Sequence, residues 1–212
     1  MPTLAEFRRD YTLAGLSEDV AGHDPFALFQ RWWDQALAAK LNEPNAFVLA
    51  TATPDGIPSA RAVLLKHFVD EGFCFFTNYN SRKGFEIEAN PRVAGVFLWD
   101  ELERQIRIEG TAERVSAADS DAYYAMRPLG SRLGAWASPQ SEIIPDREFL
   151  EVQQAGLLAR FEDGNPPRPE HWGGYRIRPT AMEFWQGRPS RLHDRIRFRR
   201  NGKVWIRERL AP

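Results

Sequence analysis

Apolar and polar residues alternate along the chain with two different periods, which divide it into helical and extended segments. After Asp24-Pro25 the apolar residues recur at helical spacing, which predicts an amphipathic helix with one buried face. The positions at this spacing are Phe26, Phe29, Trp33, Ala36, Leu37 and Lys40. Asp24 suits the N-cap and proline suits the first helical position, so we expect the helix to begin at Pro25.

A shorter period begins at Ala46 and predicts β-strands separated by turn residues. The segments with this pattern are 46–53, 59–68, 73–78, 92–99, 104–115, 173–187, 195–200 and 203–210, with Asn201-Gly202 as the last hairpin turn. Further helices are predicted at 81–90, from a Ser116/Asp119 capping box to about Met126, and at 147–161. This order favours a mainly β fold with peripheral helices (α+β), an antiparallel barrel rather than a parallel doubly wound sheet.

Composition narrows the function classes. The 212 residues, 43% hydrophobic and 27% charged, are typical of a soluble globular protein, and we expect a single domain over 1–212. The net charge of -1 argues against nucleic acid or an anionic membrane as partner. The sequence has no apolar run of membrane-spanning length and no secretory signal, so we expect a cytoplasmic protein.

Recognisable catalytic and nucleotide-binding motifs are missing. The sequence contains neither GxGxxG nor a P-loop, and Cys74 is its single cysteine. The four histidines lack metal-ligand spacing, so no metal site is predicted. The remaining signals are positive charges in unusual places.

Two of these charges follow Ser81 in the first turn of a predicted helix. Arg82 and Lys83 lie where the helix dipole disfavours cations, and a bound phosphate would reverse that preference. The alternative interpretation is a pair of solvated surface cations.

One strand earlier, Arg61 and Lys66 are five residues apart, which on a continuous strand puts them on opposite faces and predicts two anion sites. Alternatively, both cations end a buried strand and extend into solvent.

A second phosphate site is predicted near 123–131. Tyr123 and Arg127 share a helix face, and Pro128 with Gly130 is expected to end that helix and place Ser131 at its C-terminal end. A phenol, a guanidinium and a hydroxyl suit a phosphate monoester, although Tyr123 could instead pack on Tyr124. The stretch 185–195 adds three arginines and a histidine with Asp194 as its one carboxylate, which suggests an anionic ligand or partner.

Five motifs in this order resemble the pyridoxine/pyridoxamine 5'-phosphate oxidase family. They are RAVLLK (61–66), FTNYNSRKG (76–84), RQIRIEG (104–110), RPLGSRLGAWASPQS (127–141) and EFWQGRPSRLHDR (183–195), followed by a terminal RLAP. The resemblance implies an antiparallel FMN-binding split β-barrel and a homodimer with FMN sites at its interface. It also implies a vitamin B6 enzyme that oxidises pyridoxine and pyridoxamine 5'-phosphate to pyridoxal 5'-phosphate with FMN and O2, releasing H2O2 and, from the amine, NH3.

By position the resemblance also implies site residues. The FMN contacts would be Arg61, Ala62, Val63, Leu64, Leu65, Lys66, Phe76, Thr77, Ser81, Arg82, Lys83, Gln105, Gln140, Ser141, Trp185 and Arg195. The substrate phosphate would be held by Lys66, Tyr123, Arg127 and Ser131. Arg191 and His193 would be the catalytic pair, lying over the substrate ring from the neighbouring subunit. Arg8 and Tyr11 would belong to a mobile N-terminal segment, 1–23, that covers the substrate.

One departure and two alternatives accompany the resemblance. Phe76 stands where relatives often have tyrosine, and we expect the loss of that hydroxyl to have a small effect. The first alternative is an FMN oxidase of the phenazine-biosynthesis branch, which Lys66, Arg127 and Ser131 argue against. The second is a flavin- or B6-phosphate-binding protein without turnover.

Overall fold

The computed structural model describes residues 10–69 and 72–212, which form six α-helices and nine β-strands. The helices are α1 Glu18–Ala21, α2 Pro25–Ala38, α3 Arg82–Ala89, α4 Ala117–Ala125, α5 Leu129–Ala137 and α6 Arg147–Arg160. The strands are β1 Ala46–Ala52, β2 Pro58–Leu64, β3 His67–Val69, β4 Gly72–Asn78, β5 Arg92–Trp99, β6 Arg104–Arg114, β7 Trp172–Gln186, β8 Asp194–Asn201 and β9 Val204–Leu210. Two short 3-10 turns follow β5 and β7, at Asp100–Leu102 and Pro189–Arg191.

The strands hydrogen-bond in the order β2-β1-β5-β6-β7-β4-β3, with β8 paired to β7 and β9 to β8. The β3–β4, β4–β7, β7–β8 and β8–β9 pairs are antiparallel. In the β4–β7 pair Phe76 lies opposite Gly174, and in the β7–β8 pair Trp185 lies opposite Arg195. The register therefore makes neighbours of two predicted site residues, Trp185 and Arg195.

Side-chain caps mark the beginnings of α2 and α4. The Asp24 carboxylate accepts a hydrogen bond from the Phe26 amide at 2.9 Å, and the Ser116 hydroxyl accepts one from the Asp119 amide at 3.0 Å. The predicted starts of α2 and α4 are confirmed. The predicted buried face of α2 is partly wrong, because Leu28 and Trp32 are buried together with Phe29 and Ala36, whereas Leu37 is 51% exposed.

The chain forms two compact units. The first unit consists of the chain up to Leu49, 94–110 and 179–212. Its core is aromatic: the Phe47 and Phe97 rings stack at 4.9 Å, and Phe29 meets Phe97 edge-on at 5.5 Å. On another part of α2, the Trp32 ring meets Phe184 of β7 at 5.3 Å. These contacts bury one face of α2 against the sheet.

The second unit comprises 50–93, within its described part, and 111–178. Phe75 of β4 stacks on Tyr175 of β7 at 5.7 Å, and the buried Tyr175 hydroxyl donates to the Glu88 carboxylate of α3 at 2.7 Å. A separate cluster joins Tyr124, Ala135 and Trp172 with the partly buried Phe76 and Tyr123. Most of the predicted phosphate-binding residues lie in this unit.

Three local predictions need correction. The segment 59–68 is not one strand, because β2 ends at Leu64 and β3 begins at His67, with the Lys66 amide bonded to the Cys74 carbonyl at 2.8 Å. Pro128 and Gly130 do not leave Ser131 at a helix C-terminus. Pro128 is the N-cap of α5, so Ser131 lies in a first turn. The last hairpin turn is Gly202-Lys203, since Asn201 pairs with Val204.

Within the described ranges, no helix is long and apolar enough to cross a membrane. The same residues contain no group of three or more His, Cys, Asp or Glu side chains placed to hold a metal ion. The single domain over 1–212 and the cytoplasmic location stay predictions. Of the predicted N-terminal site residues, Arg8 lies outside the described residues and Tyr11 lies inside them.

Candidate active site

The main candidate site is a cavity of about 760 Å³ in the second unit. Predicted site residues that line it are Arg61, Ala62, Val63, Leu64, Lys66, Phe76, Thr77, Lys83, Tyr123, Arg127, Ser131 and Gln140. Further lining residues include Asn78, Pro128, Gly134, Ala135, Ser138 and Trp172. Arg61 and Lys66 face the same cavity because the strand is interrupted between them, so the prediction that they lie on opposite faces of one strand was wrong.

At one end of the cavity, Lys83 is held by three oxygen atoms. Its Nζ donates to Gln140 Oε1 at 3.0 Å, to the Thr77 hydroxyl at 3.1 Å and to the Ser81 hydroxyl at 3.2 Å. The side chain is 8% exposed, and burial, reinforced by the charge of Arg61, lowers its pKa to about 8. The oxygens around this ammonium are neutral, which leaves its positive charge available to an anion.

Local geometry explains how α3 delivers Lys83 to this place. The Ser81 hydroxyl caps α3 by accepting from the Gly84 amide at 3.4 Å, and it donates to the Asn78 carbonyl at 2.7 Å. A Cβ on Gly84 would lie 2.0 Å from the Tyr79 carbonyl oxygen, so only glycine permits this close approach. Ser81 is fully buried and does not line the cavity.

Glu86, which the sequence analysis did not select, lies beside Arg61. Its carboxylate accepts hydrogen bonds from the Thr51 and Ser59 hydroxyls, and it pairs with Arg61 at 3.5 Å. Arg82 Nε donates to the other carboxylate oxygen at 2.8 Å. Burial alone would raise the pKa of Glu86, but hydrogen bonds from the two hydroxyls and from Arg82 outweigh it and lower the pKa to about 2. Glu86 is therefore an ionised, buried partner of two predicted site residues.

Arg127 marks a second part of the cavity. Its guanidinium lies 4.6 Å from the centre of the Trp172 ring, and its Nη1 atom is buried without a hydrogen-bond partner among the described residues. Burial lowers the pKa of Arg127, because desolvation disfavours the charged form. A buried guanidinium nitrogen without an acceptor is costly unless a ligand supplies one.

Aromatic rings form a wall next to Arg127. The Phe76 ring stacks on Tyr123 at 4.1 Å and on Trp172 at 5.6 Å, and Lys66 Nζ lies 5.9 Å from the centre of the Tyr123 ring. Phe76 thus packs through its ring against Tyr123, a predicted substrate-binding residue. This contact does not require the hydroxyl that a tyrosine would add. Ser131 adds a hydroxyl in the first turn of α5, where free backbone N–H groups favour an anion.

A second group of predicted residues lies in the first unit. Tyr11, Gln105 and Trp185 line a cavity of about 340 Å³. The His193 ring lies 4.6 Å from Trp185 and 5.6 Å from Tyr11. The Arg188 amide donates to His193 Nδ1 at 3.1 Å, so a neutral His193 carries its proton on Nε2 and can donate from there.

Several other predicted residues lie apart from both cavities or have unusual backbone. Arg195 pairs with Glu183 at 2.8 Å, donates to the Ala211 carbonyl at 2.8 Å and lines a third cavity of about 540 Å³. Arg191 is exposed and has a positive φ of 61°. Ser141 also has a positive φ, 77°, in the turn closed by the Glu142 amide and the Pro139 carbonyl. Residues Leu65, Ser81, Arg82 and Ser141 do not line the main cavity.

Solved structures with the same arrangement define the class of fold. The chain matches PhzG from Burkholderia lata, solved in complex with tetrahydrophenazine-1-carboxylic acid, with a TM-score of 0.89 and 36% identity over 94% of this chain and 98% of that chain. A pyridoxamine 5'-phosphate oxidase-related, FMN-binding protein from Nostoc punctiforme matches with a TM-score of 0.69 and 18% identity over 87% of this chain and 97% of that chain. The fold is that of the FMN-binding split β-barrels with peripheral helices, and the predicted fold class is confirmed.

Sequence comparison identifies the family within that class. Residues 33–159 match the family model described as pyridoxamine 5'-phosphate oxidase, and 172–212 match the C-terminal dimerisation region of pyridoxine 5'-phosphate oxidase. The pyridoxine/pyridoxamine 5'-phosphate oxidase of Rubrobacter xylanophilus is 62% identical over 99% of this chain and 96% of its own length. That of Cupriavidus necator is 58% identical over the whole of both chains. The chain belongs to the pyridoxamine 5'-phosphate oxidase family of oxidoreductases, as predicted.

Proposed function

We propose that the protein oxidises pyridoxine and pyridoxamine 5'-phosphate to pyridoxal 5'-phosphate, using FMN and dioxygen and releasing hydrogen peroxide and, from the amine, ammonia. The observation that carries the proposal is the buried Arg127 Nη1, which lacks a partner within the described residues and belongs to a side chain that lines the main cavity. A phosphate oxygen is the acceptor that a guanidinium binds best. The matched family and relatives are named for pyridoxine and pyridoxamine 5'-phosphate, so we take the phosphate of such a substrate as the source of that oxygen.

The charges around the cavity support a division into two phosphate sites. Arg61 and Lys83, with Thr77 and Gln140, would hold the FMN phosphate, and Lys83 donates hydrogen bonds to Thr77 and Gln140. Lys66, Tyr123, Arg127 and Ser131 would hold the substrate phosphate. A volume of about 760 Å³ is in the range that ligand and cofactor sites occupy, about 300–1,000 Å³. The donors and the volume therefore fit a phosphorylated flavin and its substrate.

When bound, FMN would supply the redox chemistry by accepting a hydride from the substrate's 4' carbon and passing electrons to dioxygen. The contribution of the chain is binding and orientation. The phosphate clamp fixes one end of the substrate, and Arg191 with His193 would fix the pyridine ring from the partner protomer. His193 can donate from Nε2 because Nδ1 already accepts from Arg188, whereas a guanidinium, as in Arg191, offers donors and no acceptor. Tyr11 and the N-terminal segment would exclude water.

A single reaction tests the proposal. FMN-loaded protein is mixed with pyridoxine 5'-phosphate in air, and pyridoxal 5'-phosphate and hydrogen peroxide are followed together. We expect both products to rise in equal amounts. Bound FMN with neither product, from pyridoxine or from pyridoxamine 5'-phosphate, would reject the activity and leave the fold intact.

The two alternatives predict different results. A phenazine-type oxidase would fail this reaction, and Arg127 and Ser131 in the cavity argue against it, as does the higher identity to named B6 oxidases than to PhzG. A binding protein without turnover would keep its flavin oxidised when pyridoxine 5'-phosphate is added without oxygen. Bleaching of the flavin absorbance under these conditions would exclude that alternative.

A further inference from the structure

A buried carboxylate lies behind the basic end of the main cavity. The Glu86 side chain is 5% exposed, and it contacts Thr51 of β1 and Ser59 of β2. One carboxylate oxygen accepts from the Thr51 and Ser59 hydroxyls and pairs with Arg61, and the other accepts from Arg82. Glu86 does not itself line the cavity, so its effect on a ligand passes through these partners.

The network fixes the position of the Arg61 guanidinium. Arg61 Nη1 donates to the Thr51 hydroxyl at 2.6 Å and Nη2 donates to the Ser59 hydroxyl, while both hydroxyls also bond Glu86. The Arg61 side chain is 21% exposed and lines the cavity. An arginine whose rotamer is held before the ligand arrives loses less conformational entropy on binding.

The charges of the network, together with Lys83, match a phosphate monoester. Arg61, Arg82 and Lys83 carry three positive charges and Glu86 carries one negative charge, which leaves an excess of two. A phosphate monoester carries about 1.5 to 2 negative charges near neutral pH. Glu86 therefore offsets part of the repulsion between adjacent cations and leaves a net positive charge that attracts the ligand.

We propose that Glu86 is a positioning residue for the flavin phosphate: its buried carboxylate orients Arg61 toward the cavity and pairs with Arg82 behind it. This inference rests on the proposed function, because it takes FMN as the ligand whose phosphate lies at Arg61 and Lys83. Glu86 would act on the phosphate end of the flavin and leave the binding of its ring unchanged.

The test compares two flavins that differ only in the phosphate. Apo-protein is titrated with FMN and with riboflavin, and binding is followed by the quenching of flavin fluorescence. In Glu86→Gln we expect FMN affinity to fall by about tenfold or more and riboflavin affinity to change by less than about twofold. Glu86→Asp, which keeps the charge, should recover part of the loss.

The other outcomes overturn the inference. A parallel loss of both affinities, with a lower melting temperature, would show that Glu86 only supports the fold. Tighter FMN binding would show that its charge merely opposes the phosphate. If the unaltered protein bound FMN no better than riboflavin, the proposed function itself would fail before any variant was compared.

Two further variants complete the test. One keeps the inference testable if Glu86→Gln does not fold, and the other controls for effects of losing any carboxylate from α3. Ser59→Ala removes one hydroxyl that bonds both Glu86 and Arg61, and it should weaken FMN binding by about three- to tenfold with riboflavin unchanged. An unchanged FMN affinity would contradict the inference even if Glu86→Gln did not fold.

Glu88→Gln is the matched control, because Glu88 lies on the same helix but bonds Arg114 and Tyr175, away from the cavity. We expect it to keep its FMN affinity.

Discussion

At the scale of single residues, Lys83 gives the site a dependence on pH. Burial, followed by the charge of Arg61, lowers its pKa to about 8 in the folded chain from an ordinary value of 10.5. Between these two values the unfolded chain holds a proton that the folded apo-protein has released. Without a ligand, the contribution of Lys83 to stability therefore increases as the pH rises through this window.

Binding of FMN should show the opposite trend. The flavin phosphate is already ionised above about pH 7 and attracts the charged form of Lys83, so FMN affinity should fall as the pH rises through about 8. Titrating apo-protein with FMN between about pH 6.5 and 9.5 measures this. Lys83→Met should bind FMN more weakly with a flatter pH profile. A profile as steep in Lys83→Met as in the unaltered protein would assign the effect to another group.

Sequence alone could identify part of this site. Cations in the first turn of α3 indicated an anion, and the structure distinguishes the two: Arg82 is 59% exposed and pairs with Glu86, whereas Lys83 is buried and points into the cavity. Glu86 could not be selected, because its role depends on hydroxyls of β1 and β2 that are far away in sequence. A carboxylate four residues after Arg82 is equally typical of an ordinary surface ion pair.

At the scale of elements, the errors came from local signals with two interpretations. The apolar run 62–65 continues a strand pattern, but the chain stops pairing at Leu64 and resumes at His67, which brings Lys66 to the same cavity as Arg61. Pro128 was expected to end a helix, yet proline is equally suited to the beginning of the next one. Periodicity placed α2 correctly. It could not decide which of two adjacent apolar faces is buried, because the faces are offset from each other by one residue along the helix.

The described part of the N-terminal segment, 10–23, donates hydrogen bonds from its backbone amides to two side-chain carboxylates. The Leu13 amide donates to Glu103 at 3.0 Å and the Leu16 amide donates to Asp194 at 2.9 Å. Tyr11 lies edge-on to Trp185 at 5.6 Å, and its ring packs directly against Gly187. A Cβ added at Gly187 would lie 2.6 Å from the Tyr11 ring, and its nearest contacts are all with this side chain.

Gly187→Ala should therefore displace Tyr11 and loosen the segment that carries it. If this segment covers the substrate, we expect the KM for pyridoxine 5'-phosphate to rise by about three- to tenfold while FMN affinity is retained. Hydrogen exchange at the Leu13 and Leu16 amides should become faster. Gly156→Ala is the matched control, since a Cβ at Gly156 meets nothing within 4 Å. An unchanged KM together with faster exchange would show that the segment takes no part in substrate binding.

At the scale of the whole molecule, the predicted site residues fall into two groups, one in each compact unit. Lys66, Tyr123 and Arg127 belong to the second unit, and Trp185, Arg191 and His193 belong to the first. The fold class was predictable because five motifs stand in the family's order over nearly the whole chain. The assignment of residues to protomers was not predictable from local pattern, because it depends on a partner. Residues 172–212 match a dimerisation region, which supports a homodimer.

Complementation between two inactive variants tests this assembly. If each site takes Arg127 from one protomer and His193 from its partner, a dimer of Arg127→Ala with His193→Ala has one site with both changes and one with neither. Random exchange of equal amounts should therefore restore about a quarter of the unaltered activity, measured as pyridoxal 5'-phosphate formed. Arg127→Ala mixed with Lys66→Ala is the control, because both changes affect the same protomer's contribution and every site stays defective. Absence of recovery in the first mixture, with light scattering showing exchanged dimers, would place Arg127 and His193 of each site in one protomer.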